Sequence, residues 1–138
     1  MLRTITPVLM LLAVAGPVTQ VLAQEAGPAL GLQLNRVDQI EGACRLTFLA
    51  ENALGADVGA LSLETVLLDT DGIVERLTIF DFGALPDGIP RVRQFDVPGL
   101  ACADLARVLV NAVADCDAPV TCEGRLDYST LTEVEVIG

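Results

Sequence analysis

The sequence predicts an all-β domain, an immunoglobulin-like antiparallel β-sandwich of about seven strands, carried behind a cleaved signal peptide. Three observations predict it. Short segments in which apolar and polar residues alternate recur along the chain, separated by clusters rich in Gly, Pro, Asp and Asn. All four cysteines lie downstream of an apolar amino-terminal run. Hydrophobic residues make up 52% of the chain against a formal net charge of −11, which is too much apolar surface for an acidic disordered segment.

The leader spans residues 1–23. Arg3 supplies a positive start, Val8 to Ala15 an apolar run, Gly16 and Pro17 a break, and Val21-Leu22-Ala23 the small residues that signal peptidase needs. The mature chain then begins near Gln24, as one domain over residues 24–138, in the periplasm or secreted, where thiols pair. The apolar run falls short of the roughly 20 residues that span a bilayer, so no stable membrane span is expected after cleavage.

The strands follow in order. Leu30, Leu32 and Leu34 alternate with smaller or polar residues and predict a first strand from Ala29 to Val37. Cys44, Leu46, Phe48 and Ala50 alternate with Arg45, Thr47, Leu49 and Glu51 to give the clearest strand, ended by Asn52 and Gly55. Leu61, Leu63, Thr65 and Leu67 form the next, and the turn residues Asp69 to Gly72 lead into an extended segment from Ile73 to Phe82, so the pair reads as a hairpin. Leu85 to Pro90 is a loop. From Arg91 to Val97, Arg91 and Arg93 share a parity with Phe95 and Val97, which predicts a bulge or a strand apolar on both faces. Ala101 to Ala114 fits a helix or a strand, and the regular spacing of the other strands favours strand. Leu131 to Ile137 completes the set.

Four cysteines allow three pairings. A strand or helix between Cys102 and Cys116 holds their ends roughly 46 or 21 Å apart, far beyond the about 7 Å a bridge tolerates. That pairing falls, and Cys44 with Cys122 falls with it. In a sandwich the last strand begins where its predecessor ends, which sets Cys122 beside Cys116 and leaves Cys44 with Cys102.

Composition narrows the chemistry. The chain has no His, and all eight of its cations are Arg, since no Lys occurs. No imidazole or amine is available for base, zinc or Schiff-base work, and the two serines, Ser62 and Ser129, lie outside a Gly-x-Ser-x-Gly elbow. The acidity disfavours nucleic acid. Neither a cofactor nor a metal is implied, and no enzymatic activity is expected. Asp69-Thr70-Asp71-Gly72 has the start of a calcium loop without its later ligands, so a hairpin turn is the simpler reading. Asp115, Asp117 and Glu123 crowd the Cys116–Cys122 loop as solvated acids. Asp81-Phe82-Gly83 matches a kinase motif by accident. Arg76, Arg91 and Arg93 form a candidate positive patch for a protein partner, with pairing to neighbouring acids as the alternative. Phe80, Phe82 and Phe95 are assigned to the core.

The runs Cys44-Arg-Leu-Thr-Phe48, Asp81-Phe-Gly-Ala-Leu-Pro86 and Pro90 to Gly99 followed by Cys102 resemble uncharacterised exported proteins of Gram-negative bacteria. The resemblance implies export and no known activity; the leader lacks the Arg-Arg pair that twin-arginine export requires. The expectation is a non-catalytic exported module acting through contacts with an unknown protein partner, as an accessory to an envelope complex. The alternative is a small-ligand or cation-binding module built on Asp69 and Asp71 or on the Cys116–Cys122 loop.

Overall fold

A computed structural model describes residues 29–138, together with Gly16, Pro17 and Gly27. The signal peptide expected over residues 1–23 and its cleavage near Gln24 therefore lie, apart from Gly16 and Pro17, outside the described residues. Eight strands form two packed sheets: β1 Leu30–Ile40, β2 Ala43–Asn52, β3 Val58–Asp69, β4 Val74–Leu85, β5 Arg91–Pro98, β6 Leu105–Asp117, β7 Leu126–Thr130 and β8 Glu135–Ile137. The first sheet runs β5-β2-β1-β7 and the second β4-β3-β6-β8. Among the described residues no helix is long and apolar enough to cross a membrane.

The inner faces follow from sequence parity. Leu30, Leu32 and Leu34 of β1 are buried, and Asn35 then bulges out of the ladder with β2, which keeps Val37 against the core and carries the strand to Ile40. Cys44, Leu46, Phe48 and Ala50 of β2 all face inward. Each fully buried Leu or Phe of this kind contributes about 1.5–3 kcal/mol relative to an exposed position. Asn52 closes this end of the sandwich. Its amide donates to the carbonyls of Ala56 and Leu85 and its Oδ1 accepts from the Leu54 amide, so a buried polar side chain pins two loops.

β3 and β4 form the expected hairpin, and Asp69 Oδ1 accepts from the amides of Asp71 and Ile73 to shape its turn. β4 runs on to Leu85 through a bulge at Asp81-Phe82-Gly83, where Gly83 takes a φ of 62° and donates to Asp81 Oδ1.

β5 corrects the reading of Arg91 to Val97, because its register with β2 is unbroken and its outward residues are Val92, Gln94 and Asp96. Arg91 and Arg93 do share the inward parity of Phe95 and Val97. They sit at the sandwich edge, where a long side chain passes along the flank instead of entering the core.

Ala101 to Ala114 resolves into a short 3-10 turn, Cys102–Asp104, followed by β6.

Two corrections concern the sheets as a whole. They are mixed, not antiparallel throughout: β7 pairs with β1, and β8 with β6, in parallel. Among the described residues there are eight strands because Leu126–Thr130, to which the sequence pattern assigns no element, forms an edge strand, while most of Leu131 to Ile137 is a crossover between sheets. Hydrogen bonds among Thr130, Thr132 and Val134 hold that crossover, and only Glu135–Ile137 forms a ladder.

The cysteines pair as Cys44–Cys102 and Cys116–Cys122, with Cα separations of 5.0 and 6.2 Å. The first bridge ties the start of β2 to the entry of β6 and so links the two sheets. On a loop-entropy basis it stabilises by about 4 kcal/mol and the shorter loop by about 2 kcal/mol.

Candidate protein-interaction face

The registers place the outward residues of each sheet in rows. On the first sheet three rows are polar, namely Asp38, Arg45 and Asp96; Arg36, Thr47 and Gln94; and Gly31, Glu51 and Asp127, while the row between the last two is mixed, with Val92, 59% exposed, beside Leu49, Gln33 and Ser129. Arg45 donates to both Asp96 oxygens at 2.7 and 2.9 Å, and Gln94 donates to Thr47 Oγ1. The hydrogen bond and the charge of Arg45 hold the Asp96 carboxyl below its ordinary value and raise Arg45 in turn.

The second sheet differs. Leu77, Val66, Leu109 and Ile137 lie in one row across all four strands, with Ile79 on one side and Val74 and Leu68 on the other. Val66 is 8% exposed at the middle of the row, whereas Leu77 and Val74 are each 58% exposed, Ile79 49% and Ile137 40%. Polar cover comes only from the borders, where Asn111 donates to Glu64 and Arg107 pairs with Glu135 at 2.6 Å.

The exposed apolar residues concentrate on β4, which is the outer strand of its sheet and has β3 as its only ladder partner among the described residues. Sequence reasoning missed this face. The available signal was that β4 carries apolar residues on both parities, Leu77 and Ile79 on one and Phe80 and Phe82 on the other, although it lies at an edge.

Between β4 and β5 the flank is bound by arginine. Arg93 donates from Nε to the Phe82 carbonyl at 2.6 Å and from Nη2 of the same guanidinium to the Ala84 carbonyl at 2.9 Å, and Arg76 donates to the Pro98 carbonyl at 2.6 Å. Arg91 meets only the carbonyl of adjacent Pro90. The described ion pairs are those of Arg36, Arg45 and Arg107, so Arg76, Arg91 and Arg93 bind carbonyls and carry charge without a carboxylate partner. Phe80 stacks on Phe95 between the straps, with centroids 4.3 Å apart, and Phe48 and Phe82 complete the cluster. Phe80 and Phe82 are buried and Phe95 is partly so.

The remaining candidates separate. Asp69 is occupied by its own turn. Asp115 and Glu123 line an open hollow of about 480 Å³ beside Cys116 and Cys122, while Asp117 packs over Gly59 of β3. Among the described residues no group of three or more Cys, Asp or Glu is placed to hold a metal ion. Ser62 and Ser129 lie on different sheets.

Fold and surface together define an all-β, two-sheet sandwich with two disulfides and one apolar outer face. No protein-family model, curated protein or solved structure matches the chain.

Proposed function

We propose that this protein is a non-catalytic exported module, periplasmic or secreted, that works by binding another protein through the outer face of the β4-β3-β6-β8 sheet. One observation carries the reading: Val74, Leu77, Ile79 and Ile137 are exposed together on a single face, whereas the other outer face is polar except for the pair Val92 and Leu49. Contiguous apolar surface of this kind marks contact sites. Export is supported by the leader over residues 1–23 and by the two disulfides. An immunoglobulin-like reading of the fold is supported by the strand orders β1-β2-β5 and β4-β3-β6 with a bridge from β2 to the entry of β6; the parallel β7 and β8 depart from that plan. An accessory role in an envelope complex fits this reading.

The test is capture from envelope extracts with tagged wild-type chain and a Leu77→Asp, Ile79→Asp variant, read by mass spectrometry. A protein retained by the wild type and lost by the folded variant supports the proposal. Identical retention by both, or turnover of a hydrolase substrate panel by the purified domain, overturns it.

A further inference from the structure

The unpaired edge of β4 has a defined window. Arg93 occupies the carbonyls of Phe82 and Ala84, which closes the carboxy-terminal part of the edge, a bulge at Glu75 breaks the register between Val74 and Arg76, and the regular stretch from Arg76 to Phe80 is left. Edge strands without bulges or cover are templates for another strand. The exposed apolar residues Leu77 and Ile79 fall inside this window on the outward parity, and Val74 reaches the same face beyond the Glu75 bulge.

The inward parity of the same window holds Arg76, Thr78 and Phe80, and it borders a flank groove of about 230 Å³ between β4 and β5. Of the donors on Arg76 one is used, on the Pro98 carbonyl. Asp96 also lines the groove but is bound by Arg45, and the exposed Glu75 sits in the bulge outside the groove lining, so the unpaired charge lining the groove is that of Arg76 on a body of net −11.

From this we infer that β4 accepts an added strand from a partner, an extended segment that alternates apolar and acidic residues and pairs along Arg76 to Phe80. This rests on the protein-interaction reading above. The apolar side chains of the segment continue the Leu77 and Ile79 rows, and its acidic side chains face Arg76 and the Arg93 end of the flank. The molecule already uses this chemistry at its opposite edge. There β8 joins β6 with Glu135 caught by Arg107 on the outside and Val136 packed inside. A second copy is the poorer occupant, because antiparallel β4–β4 pairing sets Arg76 against an equally cationic flank and brings together two bodies of like net charge.

The experiment uses a capped, fluorescein-labelled ten-residue peptide of alternating Glu and Val, with an Arg and Val peptide as its counterpart. Anisotropy and amide-resolved NMR of the disulfide-bonded chain give affinity and footprint. The acidic peptide should bind, weaken with added salt, and perturb Arg76 to Phe80 first. Arg76→Glu should weaken it about tenfold or more. Arg76→Gln keeps a donor for the Pro98 carbonyl and should give an intermediate loss, which separates lost charge from lost structure. Val92→Asp, on the opposite face, should leave binding unchanged.

Equal binding of both peptides, a footprint elsewhere, or indifference to Arg76→Gln and Arg76→Glu overturns the inference, as does a dimer in sedimentation with β4 amides protected. If the acidic peptide fails while envelope capture still depends on Leu77 and Ile79, strand addition falls and the interaction reading stands. If capture is also indifferent to those residues, both fall.

Discussion

On the outer face of the β5-β2-β1-β7 sheet, Arg45 grips Asp96 and Thr47 meets Gln94, whereas in the middle of the β4-β3-β6-β8 sheet Leu77, Val66, Leu109 and Ile137 lie side by side. Both faces belong to one small sandwich of high net acidity. The first pairs Arg45 with Asp96, Arg36 with Asp38 and Gln94 with Thr47, and sets its one strongly exposed apolar strand residue, Val92, among polar rows. The second leaves apolar side chains in water that no intramolecular contact removes, so its surplus is surface available to a partner and not core.

The largest expected effect tests that distinction within one strand. Phe80 and Ile79 are neighbours on β4 that point to opposite faces, Phe80 into the aromatic cluster and Ile79 outward. Phe80→Ala should cost about 3–5 kcal/mol in denaturant unfolding, since it removes a ring and leaves a cavity. Ile79→Thr should stay within about 0.5 kcal/mol, as exposed positions usually do. A comparable loss at both would mean that the outward row is structural packing, and the contrast between the faces would collapse.

The bridge between the sheets comes next. Cys44→Ala with Cys102→Ala should cost about 4 kcal/mol and Cys116→Ala with Cys122→Ala about 2 kcal/mol, because the loops they close differ in length. Unfolding of the two double variants in urea measures the difference, and equal costs would break the assignment of Cys44–Cys102 as the main tie between the faces.

A pH series probes the edge of the polar sheet. Burial pushes the phenol of Tyr128 above its ordinary value of 10.0. Below that value the phenol is protonated in folded and unfolded chains alike and adds no pH dependence. As pH rises through it the unfolded chain ionises first while the folded chain holds its proton, so stability falls on the alkaline side. Tyr128→Phe should flatten that decline. As the only tyrosine in a chain without tryptophan, Tyr128 also gives a single-site titration by tyrosinate absorbance.

How much of this was legible follows from what each strand packs against. β2 is half-buried in the middle of its sheet, and its alternation from Cys44 to Ala50 reads directly as inside and outside. β6 misleads because three residues, Ala106, Asn111 and Ala114, bulge out of its ladder with β3. Its inward residues become Leu105, Val108, Val110, Val113 and Cys116, steps of three and two that imitate a helical stripe. β7 is too short to stand out from a loop. The parallel pairings depend on which edge the chain reaches after each crossover, which no local pattern encodes.

The candidate site was half legible. Arg76, Arg91 and Arg93 stood out as concentrated charge, but the carbonyl partners of Arg76 and Arg93 on the facing edge strand are a product of the tertiary flank. The exposed row on β4 was hidden because apolar residues on both parities of a strand look the same whether a second layer covers them or not.

The smallest expected effect lies on the polar face itself. Asp96 is exposed, so its bond to Arg45 is screened by water and salt, and its worth is well below that of the core and bridge changes. The direction is still fixed by the lowered carboxyl. Above the ordinary Asp range both folded and unfolded carboxyls are ionised and the full contribution is present. As pH falls, the unfolded chain takes up its proton first, and the contribution is lost as pH passes down through the lowered folded value. Asp96→Asn should therefore make the acid limb of the stability profile shallower without changing the alkaline limb. A double-mutant cycle with Arg45→Ala should show the coupling shrinking as salt is added. If that coupling rivalled the cost of Phe80→Ala, the polar face would be a principal source of stability instead of a solvated surface, and the division of labour between the two sheets would have to be reversed.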